Sequence, residues 1–394
     1  MAAERVVIVG AGPAGLSTAR SYREHGGEGS VTLVGEEPLL PYQRPPLTKG
    51  FLRGQLDASQ LAIEGRRWFD EHDVQLQIAR RVDAVDPRAG SVRVEDATLP
   101  ADAIVLATGA EPQRPPLPGI EHPAVMTLRT LPDSVRIAQQ TDADTPVLVL
   151  GTGFIGCEIA ASLAMRGAAV TLLGREPLPQ AARLGENAAR RIAEWLRELD
   201  VRVLGEASVR AVHDGRALEL QDGSCVRGAC VVLGMGVSPR VQLAERAGLQ
   251  VRDGAICADS SMRARRLASE AGAASVFAVG DVAWAHNERA GRALRVEHWG
   301  DALEHGKVAG RALAGEDARW EGVPGFWSTI GEHTLKYAAW GDGFDEVHVE
   351  RHRDDAFTAW YGNEGTIVGV LAHEADEDYD RGRELIKAGT RWPY

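Results

Sequence analysis

The chain has 394 residues, of which 44% are hydrophobic and 25% charged, a composition typical of a globular protein with more than one domain. A net charge of -12 at pH 7 argues against nucleic-acid binding, because phosphate contacts require a basic surface. No signal peptide, no apolar run of the roughly 18 residues that span a membrane and no disulfide framework can be recognised, so we expect a cytoplasmic protein without membrane insertion.

A strand, a glycine-rich turn, a helix and a second strand are predicted at the start of the chain. The apolar run 6–9 precedes the first glycine turn, residues 10–15, and a helix over 12–24 and a strand over 31–34 follow. Glycines let the backbone approach a pyrophosphate, and the helix N-terminus offers free N–H groups. Glu36 follows Gly15 at about the 20-residue spacing of a carboxylate that holds a ribose diol. A solvated acidic turn is the alternative for Glu36.

A proline-rich segment follows at residues 38–49 and is called the strap below. Proline fixes φ and favours extended geometry in the residue before it, so we expect a stiff connection. An ordinary surface loop is the alternative. A buried parallel strand is predicted over residues 101–110, and the prolines between residues 112 and 118 indicate a domain boundary.

The strand–turn–helix design is repeated further along the chain. The apolar run 147–150 precedes the second glycine turn, residues 151–156, and a strand is predicted over 169–173. Two such turns indicate two bound dinucleotides, one a flavin and the other a nicotinamide. An amphipathic helix is predicted over 186–199. Short strands are predicted over residues 201–204, 209–212, 217–220 and 229–233.

In the last third of the chain, the residue pattern changes from buried parallel strands to alternating aromatic strands. A buried strand over residues 275–281 ends in Gly280 and Asp281, and a helix is predicted over 300–314. From residue 323 the pattern becomes aromatic and alternating, which is typical of an antiparallel sheet. The predicted elements there are strands over 347–350, 356–361 and 367–372 and a helix over 376–387.

These motifs, in order along the whole chain, resemble the FAD-dependent ferredoxin reductases of oxygenase systems, the putidaredoxin-reductase and biphenyl-dioxygenase-reductase type. The segments that carry the resemblance are residues 10–15, 42–52, 107–110, 128–131, 151–158, 279–283, 295–299 and 326–328. The resemblance implies an α/β fold with two Rossmann-like dinucleotide-binding domains, glutathione-reductase-like, and a C-terminal α+β domain. It implies an FAD-binding domain of residues 1–112 and 240–316, an NAD(P)-binding domain of 113–239, and a C-terminal domain of 317–394.

The resemblance also implies roles for individual residues. The first glycine turn faces the FAD pyrophosphate, Glu36 holds the adenosine ribose, and Asp281 binds the ribityl chain or pyrophosphate. Trp299 lies beside the isoalloxazine, and Trp327 either stacks near the ring or fills an aromatic core. The residues expected to bind FAD or the nicotinamide are Gly10, Gly12, Ala14, Gly15, Glu36, Arg44, Pro45, Lys49, Val82, Ala107, Thr108, Gly109, Arg129, Gly151, Gly153, Phe154, Ile155, Gly156, Glu158, Arg175, Gly236, Gly280, Asp281, Glu297, His298, Trp299 and Trp327.

The expected chemistry is hydride transfer from NAD(P)H to FAD, followed by single-electron transfer to a [2Fe–2S] ferredoxin that serves a cytochrome P450 or a Rieske oxygenase. Lys49 is the catalytic candidate beside flavin N5, and the resemblance pairs it with Glu158. A first-turn carboxylate stabilised by the helix dipole is the alternative for Glu158. No metal site is expected. Gly174 and Arg175 would admit a 2′-phosphate, whereas Glu176 and the second glycine turn favour NADH, so the nicotinamide stays open.

Other reactions share this scaffold. Disulfide reductases need a cysteine pair, but residues 38–52 contain no cysteine. Cys225 and Cys230 have a C-x4-C spacing but are not expected to form a catalytic dithiol. Cys230 is better explained by packing, as is Cys157, although a thiol near a helix N-terminus can have a lowered pKa. The remaining alternatives are a rubredoxin reductase, a diaphorase or NADH oxidase, and a non-catalytic NADH-sensing flavoprotein that resembles apoptosis-inducing factor.

Overall fold

The computed structural model describes residues 4–267 and 272–394. This part of the chain divides into two compact units. The described parts of Met1–Gln43, Ala62–Glu111 and Ser238–Gly325 form the first unit, and Arg44–Leu61, Pro112–Val237 and Phe326–Tyr394 form the second. The sequence-based limits at residues 112, 239 and 316 describe three domains instead of two units, and that division stays a prediction.

A five-stranded parallel sheet is the centre of the first unit. Its strands lie in the order Ser275–Ala278, Ala103–Leu106, Arg5–Val9, Ser30–Val34 and Val74–Gln77. Strand Ala103–Leu106 and residues 6–9 of the neighbouring strand are continuously apolar and buried, as expected where both faces of the sheet are covered. Parallel strands end at one edge, so the first glycine turn, Thr108 and Gly280 all follow strands at the same edge.

Two smaller sheets and several helices complete the first unit. The three-stranded sheet consists of Val82–Asp86, Ser91–Val94 and Ala97–Pro100, and the four-stranded sheet of Val251–Arg252, Ala255–Ala258, Ala283–Asn287 and Arg292–Arg295. The helices are Pro13–Glu24, Arg66–Glu71, Gln242–Arg246 and Trp299–Leu313, with a 3-10 turn at Gly280–Val282. The sequence prediction missed both small sheets, since their strands are short and most of them are only partly apolar.

Helix Trp299–Leu313 packs against helix Pro13–Glu24 at very short range. A Cβ atom on Gly306 would lie 2.5 Å from the Ala14 carbonyl oxygen, and one on Gly310 would lie 2.7 Å from the Thr18 carbonyl oxygen. The Ser17 hydroxyl donates a hydrogen bond of 2.7 Å to the Leu303 carbonyl. The two backbones approach so closely because glycine has no side chain at the crossing point.

The second unit contains a parallel sheet and two antiparallel sheets. The parallel order is Arg202–Leu204, Ala169–Leu173, Pro146–Leu150, Cys230–Leu233 and Val125–Thr127. A three-stranded sheet joins Val209–His213, Ala217–Leu220 and Cys225–Arg227. The C-terminal sheet has the order Gly325–Ile330, His333–Ala339, Thr366–His373, Phe357–Asn363 and Glu346–Arg351. Helices of this unit are Leu131–Gln140, Phe154–Met165, Ala181–Glu198 and Asp376–Lys387, with 3-10 turns at Pro45–Thr48 and Ala58–Gln60. Strands Ala110–Pro112 and Val237–Pro239 lie where the chain passes from one unit to the other.

The predicted α/β fold class is confirmed, and several predicted elements differ in detail. The strand predicted over 275–281 ends at Ala278, before the 3-10 turn Gly280–Val282, and the strand predicted over 101–110 is shorter, Ala103–Leu106. The helix predicted over 186–199 begins at Ala181, with a non-helical Gly185 at φ 78° that divides it. The strap is not extended throughout, since Pro45–Thr48 form a 3-10 turn. Within the described ranges, no helix has both the length and the apolarity that crossing a membrane requires.

The glycine crossing leads to a stability prediction. Gly310→Ala should lower the free energy of unfolding by about 1–3 kcal/mol, because overpacking against backbone outweighs the gain in helix propensity. Thermal unfolding monitored by circular dichroism measures the effect. Lys307→Ala, at an exposed position on the same helix, should change stability by less than about 0.5 kcal/mol. Equal stability of the two variants would contradict the close packing of the two helices.

Candidate active site

The first glycine turn has the shape of an anion cradle. Gly10 has φ 116°, and a Cβ atom there would lie 2.1 Å from the Ala107 carbonyl oxygen. A Cβ atom on Gly15 would lie 2.1 Å from the Gly10 carbonyl oxygen, whereas one on Gly12 would meet nothing within 4 Å. Gly12 caps helix Pro13–Glu24 without a side-chain hydrogen bond, and the first turn has no acidic residue. The open space and uncapped N–H groups fit a pyrophosphate.

The segments beside this turn contain most of the other residues predicted to bind FAD. A Cβ atom on Gly280 would lie 3.0 Å from Ala14 Cβ, which places the buried Asp281 near the turn. The Thr108 hydroxyl donates a 2.8 Å hydrogen bond to the Arg240 carbonyl. Arg240 Nη1 in turn donates to Glu36 Oε2 at 3.2 Å. Arg240 therefore joins Glu36 to the strand end at Ala107, Thr108 and Gly109, and Val82 begins the neighbouring three-stranded sheet.

The start of helix Trp299–Leu313 is a second polar cluster of the first unit. His298 caps the helix, its Nδ1 lies 3.2 Å from the buried Asp301 carboxylate, and Trp299 is the first helical residue. Burial raises the pKa of Glu297, although the nearby Arg295 opposes this shift. Burial lowers the pKa of His305, one turn further on, to about 4.

Lys49 and Glu158 form an ion pair in the second unit, with Glu158 buried and Lys49 mostly buried. Lys49 Nζ lies 2.6 Å from Glu158 Oε2, and their side chains are 14% and 6% exposed. The Thr48 hydroxyl donates to the same oxygen at 2.6 Å. The other oxygen, Oε1, accepts a hydrogen bond from the Ser328 hydroxyl at 2.7 Å and one from the Thr329 backbone N–H at 3.4 Å. Both carboxylate oxygens therefore have partners, as a buried charge requires.

The position of Glu158 excludes the alternative interpretation from the sequence. Helix Phe154–Met165 has no acidic residue in its first turn, and Glu158 is its fifth residue. The helix dipole acts mainly within the first turn. Glu158 is therefore held by side chains of the strap and of strand Gly325–Ile330, and its role in flavin chemistry stays a prediction.

The backbone of the strap's C-terminal half is fixed by polar side chains. The Ser162 hydroxyl donates to the Thr48 carbonyl at 2.7 Å, and the Ser134 hydroxyl donates to the Leu47 carbonyl at 2.8 Å. Arg44 Nη1 donates to the Arg129 carbonyl at 2.8 Å, so two predicted FAD-binding residues lie together, next to Pro45. These bonds hold the backbone beside Lys49 in one conformation.

The second glycine turn repeats the geometry of the first. Gly151 has φ 115°, a Cβ atom there would lie 2.4 Å from the Gly234 carbonyl oxygen, and one on Gly156 would lie 1.9 Å from the Gly151 carbonyl oxygen. Gly153 caps helix Phe154–Met165 without a side-chain bond. Ile155 and Phe154 begin that helix, and the Phe154 ring meets the Phe326 ring edge-on at 4.6 Å. The residues fit a second dinucleotide.

Three other predicted site residues of the second unit lie outside the second glycine turn and the Lys49–Glu158 pair. Gly236 has φ 87° with open space at its Cβ position, and its carbonyl accepts a hydrogen bond from the Gln113 N–H at 2.9 Å. Arg175 is exposed beyond strand Ala169–Leu173. Trp327 is 42% exposed, so the interpretation as aromatic core is wrong, and its stacking on the flavin stays a prediction.

The cysteines form no redox pair. All four are free, and only Cys225 is exposed. Burial raises the pKa of Cys157 well above its ordinary value, so the possible lowering by the helix N-terminus does not occur. Burial also raises the pKa of Cys230 to about 11. These buried thiols pack as small apolar groups.

Sequence reasoning missed the residues that support the ion pair. Ser162 lies four residues after Glu158, hence on the same face of the helix, and that spacing was a usable signal. Thr48 is the sequence neighbour of Lys49 in the strap, so its position beside the ion pair could also be predicted from the sequence. Ser328 and Ser134 come from distant segments, and no local pattern identifies their contacts.

Comparison with known proteins agrees with this geometry. The family model described as "Pyridine nucleotide-disulphide oxidoreductase" matches residues 4–306, and "Reductase C-terminal" matches residues 325–393. Rhodocoxin reductase of Rhodococcus erythropolis is 31% identical over 97% of this chain and 89% of that protein. The ferredoxin–NAD(+) reductase component of the anthranilate 1,2-dioxygenase system of Burkholderia cepacia is 33% identical over 99% of this chain and 96% of that protein.

A solved structure is similar to this chain over almost its whole length. The crystal structure of the covalent putidaredoxin reductase–putidaredoxin complex matches with a TM-score of 0.91 and 28% identity, over 99% of this chain and 94% of that chain. The resemblance inferred from the sequence motifs is thus confirmed. The chain is an FAD- and NAD(P)H-dependent oxidoreductase that belongs to the pyridine nucleotide-disulphide oxidoreductase family and carries the reductase C-terminal domain.

Proposed function

We propose that this protein is an NAD(P)H-dependent ferredoxin reductase. The observation that carries the proposal is the buried Lys49–Glu158 ion pair beside the second glycine turn, in a chain whose four cysteines form no pair. When bound, FAD supplies the conversion of a two-electron hydride donor into a source of single electrons. Without a dithiol, the electrons leave for the acceptor directly.

The residues of this chain position the cofactors and control charge. The first glycine turn would hold the FAD pyrophosphate and the second that of the nicotinamide, because uncapped helix N-termini attract phosphate. Lys49 would hold its ammonium group against the flavin ring as negative charge develops there. Glu158 orients Lys49, while Thr48 and Ser328 prevent the carboxylate from turning away.

The acceptor is inferred from the relatives. One relative described above is named as the ferredoxin–NAD(+) reductase component of a dioxygenase system, and one solved relative is putidaredoxin reductase in a covalent complex with putidaredoxin. The partner of this chain is accordingly a [2Fe–2S] ferredoxin that in turn supplies a cytochrome P450 or a Rieske oxygenase. The four free cysteines are consistent with work in the reducing cytoplasm, which we include in the proposal.

The proposed acceptor can be tested directly. The FAD-loaded protein, reduced anaerobically with NADH or NADPH, should be reoxidised rapidly by a [2Fe–2S] ferredoxin, because no disulfide stores the electrons. Stopped-flow absorbance of the flavin measures the rate. Rubredoxin, a quinone and oxygen serve as competing acceptors. Faster reoxidation by any of these would reject the ferredoxin assignment, and a long-lived reduced protein with every acceptor would favour a sensing role.

The role of Lys49 is tested by substitution. Lys49→Met should slow flavin reduction by NADH or NADPH by on the order of 100-fold, because a preorganised positive charge is lost. The FAD content, read from the visible spectrum, should stay unchanged. Lys336→Met removes another ion-paired lysine, bound to Asp376, and should leave the reduction rate as it is. If Lys49→Met is reduced as fast as Lys336→Met and the unchanged protein, Lys49 has no part in flavin reduction.

The absence of a sulfur relay is tested by alkylation. Iodoacetamide should label the exposed Cys225 first, because burial raises the pKa of Cys157, Cys230 and Cys257 and lowers their thiolate fraction. Ferredoxin reduction should persist after labelling, with peptide mass spectrometry identifying the modified residue. A Cys225→Ser variant provides the unlabelled control. Turnover that disappears in step with labelling would contradict direct electron transfer.

A further inference from the structure

The position that normally recognises the adenosine ribose has no carboxylate in the second dinucleotide site. In such folds an acidic residue at the end of the second strand accepts hydrogen bonds from the ribose hydroxyls. Here strand Ala169–Leu173 is followed by Gly174 and Arg175, whereas strand Ser30–Val34 of the first unit is followed by Gly35 and Glu36. A Cβ atom on Gly174 would lie 2.3 Å from Thr152 Oγ1 and 2.9 Å from Thr152 Cβ. The Thr152 side chain therefore occupies the space that a side chain at position 174 would need, as Ala11 does beside Gly35 in the first unit, so the residue that faces the ribose is the next one, Arg175.

The next acidic residue along the loop, Glu176, is hydrogen-bonded to the start of a helix. Glu176 Oε2 accepts a 3.0 Å hydrogen bond from the Ala182 backbone N–H, in the first turn of helix Ala181–Glu198. A carboxylate is stabilised there by the unpaired N–H groups and the helix dipole. The loop is also tied back to the second glycine turn, since Gln180 Nε2 donates to the Thr152 carbonyl at 3.0 Å. The Glu176 carboxylate therefore caps the start of helix Ala181–Glu198.

Arg175 lies between these two residues, and its guanidinium group is available to a ligand. Its side chain is exposed, and no hydrogen bond or ion pair joins it to another residue within 4–267 or 272–394. A guanidinium group offers a planar fork of donors that matches the oxygens of a phosphate. The loop after the strand therefore presents one free cation and no free carboxylate from Gly174 to Glu176.

We propose that Arg175 selects a nicotinamide dinucleotide with a 2′-phosphate, so that NADPH is preferred to NADH. The inference rests on the proposed use of the second glycine turn for the nicotinamide. A 2′-phosphate gains a charge-assisted contact with Arg175 and meets no carboxylate that would repel it. The bare ribose diol of NADH finds no acidic acceptor at Gly174 or Arg175, so it lacks the usual compensation for its desolvated hydroxyls.

Adenosine 2′,5′-bisphosphate and 5′-AMP provide the decisive probes, because they differ only in the 2′-phosphate. Isothermal titration of the FAD-loaded protein should show the bisphosphate binding about tenfold more tightly, equal to about 1.4 kcal/mol. The difference should shrink as salt is added, since an exposed charge pair is screened. Arg175→Ala should abolish the preference, and Arg175→Lys should keep part of it.

Arg202→Ala provides a matched control. Arg202 is exposed on the adjacent strand Arg202–Leu204, at the amino end of that strand and away from Gly174. This variant should bind both probes as the unchanged protein does. Equal affinity of the unchanged protein for the two probes, or an undiminished preference in Arg175→Ala, would overturn the proposal. The titration requires no ferredoxin, so its failure is separate from a failure of the proposed electron transfer.

Discussion

The second unit depends on the burial of one carboxylate. Glu158 is 5% exposed as a residue, and a charge in such surroundings is tolerated only when it is paired and hydrogen-bonded. Its partners come from two segments that are far apart in the sequence, the strap and strand Gly325–Ile330, and meet it on helix Phe154–Met165. Breaking such a pair by removing one member typically costs about 3–5 kcal/mol. The requirement to satisfy Glu158 therefore specifies the local conformation of Lys49.

The parts of the fold that can be predicted from the sequence are those with a local physical cause. The two glycine turns were predictable because each step has a local physical cause, an apolar strand, a backbone at positive φ and a helix without a side-chain cap. The buried parallel strands were predictable for the same reason, since their apolar runs are continuous. Helix Asp376–Lys387 has the predicted bounds. The motif resemblance identifies Lys49 and Glu158, whereas their contact depends on tertiary structure.

The features that were missed are those without a local pattern. Strands such as Val251–Arg252 are too short to show periodicity. Arg240 joins Glu36 to the strand end at Thr108 across a long sequence separation, and no spacing rule identifies it. Ser328 lies in a strand whose alternation predicts burial but not a partner. Exposure of Trp327 likewise follows from how that strand packs, which its aromatic composition does not reveal.

The buried imidazole of His305 has a consequence for the electrical environment of the first unit. Desolvation outweighs the attraction of Asp301 and Asp281 and holds its pKa at about 4. The ring therefore stays uncharged near neutral pH. A change of pH in that range adds no charge at His305 beside Asp281 and the start of helix Trp299–Leu313.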